Sequence, residues 1–335
     1  MMRIGMRMAL AGWLAAMAPA LPAAAQDFYK GKTITITVGF SPGGGFDLNA
    51  RLLARYIGRH IPGEPFVVVI NQPGAGSQTA VVRLDTNTPT DGTVINSFNF
   101  GLINDSVLQP DKTRLDFRNY AWIGSISEDV TACYIFRADG AKTIDEMKRH
   151  GHYHFGLTGV GTSEDLNTKI LRRVFGVEIA QVSGYTSSAD IRIAIERGEL
   201  DGDCGAWSSI PEDWTKAPTF HPVSRSGSAP EGMPSDVPYV VDAAPAAARD
   251  AVRFLLADSS VGRPFVVSHA VPAERVRILR EAFAATMMDP DFIAEARRLR
   301  QPLSPKTGEE AAKAVEGIYG AGRETIDAAK KIVAE

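Results

Sequence analysis

Cysteine is almost absent, with only Cys133 and Cys204 in 335 residues. That excludes a disulfide-dense miniature scaffold and a four-cysteine zinc site. A basic excess is missing too. The 36 lysines and arginines face 39 acidic residues, for a net charge of −3, so nothing in the charge balance gathers nucleic-acid phosphates. Beyond residue 21 no apolar run approaches the ~20 residues of a membrane-spanning helix. No internal repeat of roughly 20–50 residues is visible, which argues against a solenoid. Among the histidines, His60, His221 and His269 are scattered. His150, His152 and His154 could share a strand face, but no acid interrupts the run, and a solvated strand edge is the reading adopted. No metal and no cofactor are expected. What remains is an ordinary globular composition, 44% hydrophobic and 22% charged, with a length suited to two lobes.

The amino terminus sets the compartment. Arg3 and Arg7 precede the mostly apolar stretch from Met8 to Leu21, and Pro22-Ala23-Ala24-Ala25-Gln26 follows. A charged start, an apolar middle and a small-residue cleavage site make a secretory signal peptide. Residues 1–25 are expected to be removed, leaving an exported, periplasmic chain that begins near Gln26. Its loss takes the basic count from 36 to 34 against 39 acidic residues.

Strands and helices then alternate. Ile34, Ile36, Val38 and Phe40 alternate with Thr33, Thr35, Thr37 and Gly39, a period-two strand. The glycine-rich turn Ser41–Asp47 leads into a helix with Leu48, Leu52, Leu53, Tyr56 and Ile57 on one face. The continuous apolar run Phe66–Ile70 predicts a strand buried on both faces. Asn71–Ser77 repeats the glycine-rich turn, and a third strand runs from Thr93 to Phe98. A second series follows: strands at 131–136, 152–157 and 203–207, with helices opening near Ser163 and before Ile191. Thr143 with Glu146, and Thr307 with Glu310, have capping-box spacing. The expected fold is α/β, two-lobed, with a mostly parallel sheet in each lobe. Lobe 1 comprises 26–126 and 227–335, lobe 2 comprises 127–226, and the Pro/Ser/Gly-rich stretch 218–238 is the return linker.

Ligands of such folds gather at the carboxyl ends of strands, where the glycine turns lie. Gly39-Phe40-Ser41-Pro42-Gly43 matches the nucleophile elbow of α/β hydrolases, which keeps a secreted hydrolase using Ser41 as an alternative. The residue after that serine must lend its N–H to the oxyanion hole, and Pro42 has none. Gly74-Ala75-Gly76-Ser77 lacks a following P-loop lysine, and Gly159-Val160-Gly161-Thr162-Ser163-Glu164 lacks the third glycine of a dinucleotide fingerprint. The turns instead open helices, whose first N–H groups attract anions. No arginine or lysine stands in Ser41–Asp47 or Asn71–Ser77, so the expected hold on an anion is backbone amides at Gly44 and Gly45. Cys133 and Cys204 fall on predicted strands of one exported lobe, where a disulfide is favoured over two free thiols.

These residues resemble the periplasmic solute-binding proteins of tripartite tricarboxylate transporters, the Bug or TctC family. The motifs are Phe40-Ser41-Pro42-Gly43-Gly44-Gly45-Phe46-Asp47 with Ala50-Arg51, and Val67-Val68-Val69-Ile70-Asn71-Gln72-Pro73-Gly74-Ala75-Gly76. Asp91-Gly92-Thr93, Gly198-Glu199-Leu200-Asp201, Arg263-Pro264 and Met288-Asp289-Pro290-Asp291-Phe292 extend the likeness over most of the mature chain. The resemblance implies a monomeric clamshell that captures a small organic acid and delivers it to membrane permease subunits, with no catalysis and no nucleic acid. A receptor for a non-carboxylate solute is the further alternative. Carried over, Phe40, Gly44, Gly45, Phe46, Ser77 and Asn99 would face the ligand from lobe 1. Thr162, Ser163, Asp165, Tyr185 and Trp207 would do so from lobe 2. Where many relatives carry histidine this chain has Asp165, beside Glu164. Acids aimed into the cleft would disfavour a second carboxylate and leave room for a monocarboxylate or an amino-bearing acid. Phe46, Phe98, Phe100, Tyr185 and Trp207 also leave room for an aromatic acid.

Overall fold

Two β-sheets, each flanked by helices, divide the chain in the computed structural model, which describes residues 28–334. The expected signal peptide and its cleavage site lie outside the described residues. The first sheet holds β1 (Thr33–Val38), β2 (Phe66–Asn71), β3 (Val94–Ser97), β4 (Tyr120–Ser125), β10 (Pro264–Ser268) and β11 (Lys306–Thr307), in the order β11-β4-β10-β3-β1-β2. The second holds β5 (Thr131–Phe136), β6 (Tyr153–Leu157), β7 (Ile179–Ser183), β8 (Gly202–Ala206) and β9 (Phe220–Arg225), in the order β7-β6-β8-β5-β9. This is a two-lobed α/β architecture.

Both sheets are mixed, a correction to the expectation of mostly parallel ones. β1 runs parallel to β2 and β3, and β6 to β7 and β8, as βα crossovers require. β10 enters antiparallel to β3 and β4, and β5 antiparallel to β8 and β9. These strands belong to the passages between the sheets, so their direction follows the crossing and not the local βα rhythm. The two passages are stitched together: Ile126 N–H donates to the Arg263 carbonyl at 3.2 Å, Arg263 N–H to Ser127 at 3.0 Å, and Asp129 N–H to Ser259 at 3.0 Å.

Two further expectations are corrected. The stretch 218–238 is not all linker, because β9 lies within it. Pro222 is tolerated there because β9 is an edge strand and its pairing with β5 shifts register between Cys133 and Tyr134. The run Phe66–Ile70 is not buried on both faces either. β2 is the other sheet's edge, with Phe66 79% exposed and Val68 and Ile70 also open to solvent.

Helices follow the strands: α1 (Gly45–Ile57), α2 (Gln78–Thr86), α3 (Gly101–Leu108), α4 (Ile144–His150), α5 (Ser163–Arg173) and α6 (Ser188–Glu196). The carboxyl part adds α7 (Arg249–Leu255), α8 (Ala273–Met288), α9 (Pro290–Arg298), α10 (Gly308–Tyr319) and α11 (Arg323–Val333). Thr307 and Glu310 form the full capping box at α10. At α4 only half forms: Thr143 accepts from Glu146 N–H, while the Glu146 carboxylate turns to Lys142 N–H. One large core joins the first sheet to its helices, and two smaller clusters cover the faces of the second.

Cys133 and Cys204 are cross-strand partners of β5 and β8 and are joined by a disulfide in one of those smaller cores. Replacing both with alanine is expected to cost about 2–4 kcal/mol, chiefly by freeing the unfolded chain. A urea titration of the double variant measures the loss. An unchanged midpoint would contradict a stabilising role.

Candidate functional site

The carboxyl end of β1 turns sharply at Gly43, whose φ of +90° a side chain would resist. The turn is tied down by Asp47, which accepts hydrogen bonds from Gly43 N–H (3.0 Å), Arg51 Nε (3.0 Å) and Asn71 Nδ2 (2.9 Å). Burial opposes the charge on Asp47, but the bonds from Arg51, Gly43 and Asn71 outweigh it and hold the carboxyl below its ordinary range. Asn71 also donates to the Phe40 carbonyl at 2.8 Å, so the two glycine turns of this lobe form one unit. Phe40 stacks on Phe46 with centroids 5.1 Å apart. Gly44 occupies the N-cap of α1 and offers no side chain to the first N–H groups.

Opposite stand the starts of α5 and α6. Thr162 caps α5 by accepting from Asp165 N–H, and Ser187 caps α6 by accepting from Asp190 N–H. The lobes touch. Ser41 N–H donates to the Thr186 carbonyl at 3.0 Å. Ser77 Oγ accepts from Asn99 N–H at 2.8 Å; Asn99 Oδ1 then accepts from Ser163 N–H at 3.0 Å, and its Nδ2 donates to Ser163 Oγ at 3.3 Å. Gly76 and Gly159 meet backbone to backbone: a Cβ on Gly159 would lie 2.4 Å from Gly76 N. Only glycine permits that approach.

Between the lobes lies a small cavity of about 20 Å³, lined by Phe40, Gly44, Gly45 and Phe46 from one side and by Ser163, Glu164, Ser187, Ser188, Ala206 and Ser209 from the other, with Asp129 and Arg263 from the interlobe passages. The starts of α1, α5 and α6 all reach it. A neighbouring, larger cavity of about 280 Å³, sharing Phe40, is lined by Gly39, Gly74, Ala75, Gly76, Thr158, Gly184, Tyr185 and Thr186.

The residues expected at the site therefore divide. Phe40, Gly44, Gly45, Phe46 and Ser163 line the first cavity, and Tyr185 the second. Ser77, Asn99 and Thr162 are fully buried at the lobe contact. Asp165 turns away from the cleft: its oxygens accept from Gly161 N–H, Lys169 Nζ and Gln181 Nε2, all at 2.8–2.9 Å. Trp207 leans on Phe220 and donates to the Glu231 carbonyl, outside both linings. Phe98 and Phe100 are core.

Arg263 is the residue that the sequence motifs did not mark for the site. Its side chain is 2% exposed, pairs with Asp129 at 3.0 Å, donates to Ser208 and Ser209 Oγ at 3.3 Å, and lies over the Phe46 ring at 4.4 Å. A guanidinium therefore reaches the cavity from the passage preceding β10, beside the backbone amides of Gly44 and Gly45. Burial pushes the Glu164 carboxyl up, while bonds from Thr162 and Thr158 and its own backbone pull it back and the Asp129 charge adds to the rise.

Ser41 makes no hydrogen bond to a histidine among the described residues. Of the histidine triplet only His154 lies in a strand. His152 pairs with Glu178 and His154 with Asp201.

No family model matches the chain. It is similar to a UPF0065 protein from the TAR-I ttuE-ttuC′ intergenic region of Agrobacterium vitis, 24% identical over 305 residues, covering 84% of this chain and 86% of that protein. Among solved structures it is similar to MatC from Rhodopseudomonas palustris with bound malate, with a TM-score of 0.70 and 17% identity, covering 90% of this chain and 99% of that one. The periplasmic binding protein BugD gives a TM-score of 0.68 at 17% identity, covering 91% and 96%. The fold is that of the Bug/TctC solute-binding proteins, and the resemblance read from the sequence holds in it.

Proposed function

We propose that this Bug/TctC-like chain is an extracytoplasmic receptor that captures a small organic anion, a carboxylate, between its lobes and delivers it to membrane permease subunits. The observation that carries the reading is the convergence of three helix starts, those of α1, α5 and α6, on one interlobe cavity that also holds a buried guanidinium. Each start presents partial positive charge, and that of α1, which no side chain caps, also presents free N–H groups, which favour a carboxylate. The malate bound to MatC supports the same ligand class. The two crossings, near residues 126–127 and 226–227, would act as the hinge between a lobe of 26–126 and 227–335 and a lobe of 127–226. Cleavage of residues 1–25 would release the receptor into the periplasm.

The test pairs thermal denaturation with small-angle scattering, using mono- and dicarboxylates of three to six carbons. At least one acid is expected to raise the melting temperature by several degrees, since a ligand at 100 times its Kd stabilises by about 2.7 kcal/mol. The radius of gyration should fall with it, and a generic nitrophenyl ester should not be turned over. Ester turnover without stabilisation by any acid would favour the hydrolase using Ser41.

A further inference from the structure

One edge of the first sheet is bare. β2 pairs with β1 alone among the described residues, and its other side carries no strand. Phe66 N–H donates to the Lys32 carbonyl and Gln72 N–H to that of Val38, which fixes the backbone's orientation. Even-numbered positions turn N–H and C=O toward β1, so Val67, Val69 and Asn71 turn theirs to the open side. Side chains alternate with the same period. Val67 and Val69 are half-buried against the core, on the face that α1 covers. Phe66, Val68 and Ile70 stand exposed in a row on the other.

Nothing in the strand guards this edge. Natural sheets blunt an open edge with lysine, proline, a bulge or a very short strand. β2 is six residues long, pairs with β1 without a register shift, and holds neither a charge nor a proline. From Pro65 to Val82 the chain has no charged residue at all. Arg51, which bonds to Asn71, is already paired with Asp47 at 2.9 Å. A strongly charged partner therefore finds no complement here, whereas an identical neutral strand meets no like charge.

One antiparallel register uses the whole edge. With a two-fold axis at Val69, Val69 of one copy faces Val69 of the other, and Val67 faces Asn71. All three outward residues then exchange N–H and C=O bonds, roughly six in all. Sliding the second copy two residues brings Pro65 against Asn71 one way and Pro73 against Val67 the other, and neither proline has an N–H to give. In the favoured register Val68 of each copy packs on Ile70 of the other, in the closer, non-hydrogen-bonded kind of pair. Glu64 falls opposite Gly74, not opposite a second Glu64.

We infer that two copies of the chain associate through their β2 edges into one continuous sheet, in place of the monomer that the resemblance implies. The contact is isologous, and it stops at two copies because pairing consumes the edge. Lobe 1 alone supplies it, so each copy keeps its own cleft. A six-residue strand falls well short of the ~20–30 residues a side of a stable interface, so the expected Kd is weak, about 10–100 μM.

The test is sedimentation velocity of the chain without residues 1–25, from about 1 μM to about 500 μM. The mass should rise from one chain toward two and go no further. Over the same range, hydrogen exchange at the Val67, Val69 and Asn71 amides should slow about threefold or more. Val68→Lys and Ile70→Lys, at exposed positions, should each weaken association about tenfold or more by setting a charge against the apolar strip. Ile193→Lys, at a comparably exposed position on α6 of lobe 2, should leave it unchanged. A single-chain mass throughout overturns the proposal and leaves the edge to a strand from a different protein. Growth beyond two copies, or a dimer that both lysine variants leave intact, also overturns it, because the contact then lies elsewhere. The wild-type concentration series and its amide exchange decide the matter even if a lysine variant fails to fold.

Discussion

Gly44→Val is expected to weaken carboxylate binding about a hundredfold or more, equivalent to about 2.7 kcal/mol, while leaving a folded protein. Gly44 has φ −82° and ψ 169°, ordinary extended values, so valine strains no backbone there; the conformation that needs glycine belongs to Gly43. The damage comes from space. A Cβ at Gly44 would lie 3.3 Å from Ser188 Oγ and 3.6 Å from Ser187 Cβ, so the two valine methyls would press on the start of α6 across the cleft. Overpacking of this kind costs about 1–3 kcal/mol, and here the closed state bears it. The methyls also cover the N–H groups that the anion needs. Arg51→Ala is the control. Arg51 holds Asp47 and Asn71 and does not line the cavity, and its side chain is 43% exposed. Its loss should change affinity by less than about tenfold, because Asp47 keeps its bonds to Gly43 and Asn71. Circular dichroism checks folding and calorimetry checks binding. If Gly44→Val binds normally and Arg51→Ala does not, the anion is held elsewhere.

Much of this architecture was legible because local patterns were strong. The period-two strand before a glycine turn located β1 and the start of α1, while the contact that two further glycine turns make at Gly76 and Gly159 emerges only on assembly. Other features depend on assembly. The five apolar residues of β2 read the same at a sheet edge as in its centre, and only the strand order exposes Phe66, Val68 and Ile70. Strand direction in β10 and β5 depends on how the chain crosses between lobes, which no short window records. Glu164 and Asp165 are neighbours at a helix start, about 100° apart around the axis. Which one faces the cleft depends on how α5 rests on its sheet. Lys169, one turn further along, and Gln181 on β7 claim Asp165, and Glu164 is left to the cavity. Arg263 was quoted in a motif, but its reach to the site depends on a passage returning from the other lobe. The same folding that hides such side chains also sets how they titrate.

Stability is expected to fall as the pH rises above the ordinary carboxylate range. Asp203 and Asp258 are buried, and each has a carboxylate oxygen without a hydrogen-bond partner. Burial is the main cause that pushes both carboxyls well above their ordinary range. The neighbouring Glu164 adds to the rise at Asp203, and backbone N–H bonds only partly offset it at both positions. Above the ordinary carboxylate range the folded chain keeps protons that the unfolded chain has released. Stability therefore declines with rising pH until the folded groups ionise. Each such group contributes at most about 1.4 kcal/mol per pH unit, so the pair contributes roughly 3 kcal/mol per unit at the limit. That is large against a total of about 5–15 kcal/mol. The lowered acids have the opposite sign and a different window. The stabilisation from Asp47 is lost only as the pH falls below the ordinary carboxylate range, so it is complete by about pH 5 and leaves the slope above untouched. Urea midpoints from pH 5 to pH 8 measure the effect, and Asp258→Asn should flatten the curve by one proton's worth. Stability that rises across this interval would mean that these carboxyls are charged in the folded protein and have found partners. Asp258→Asn would then destabilise most at the alkaline end, where a flattened curve predicts its least damage.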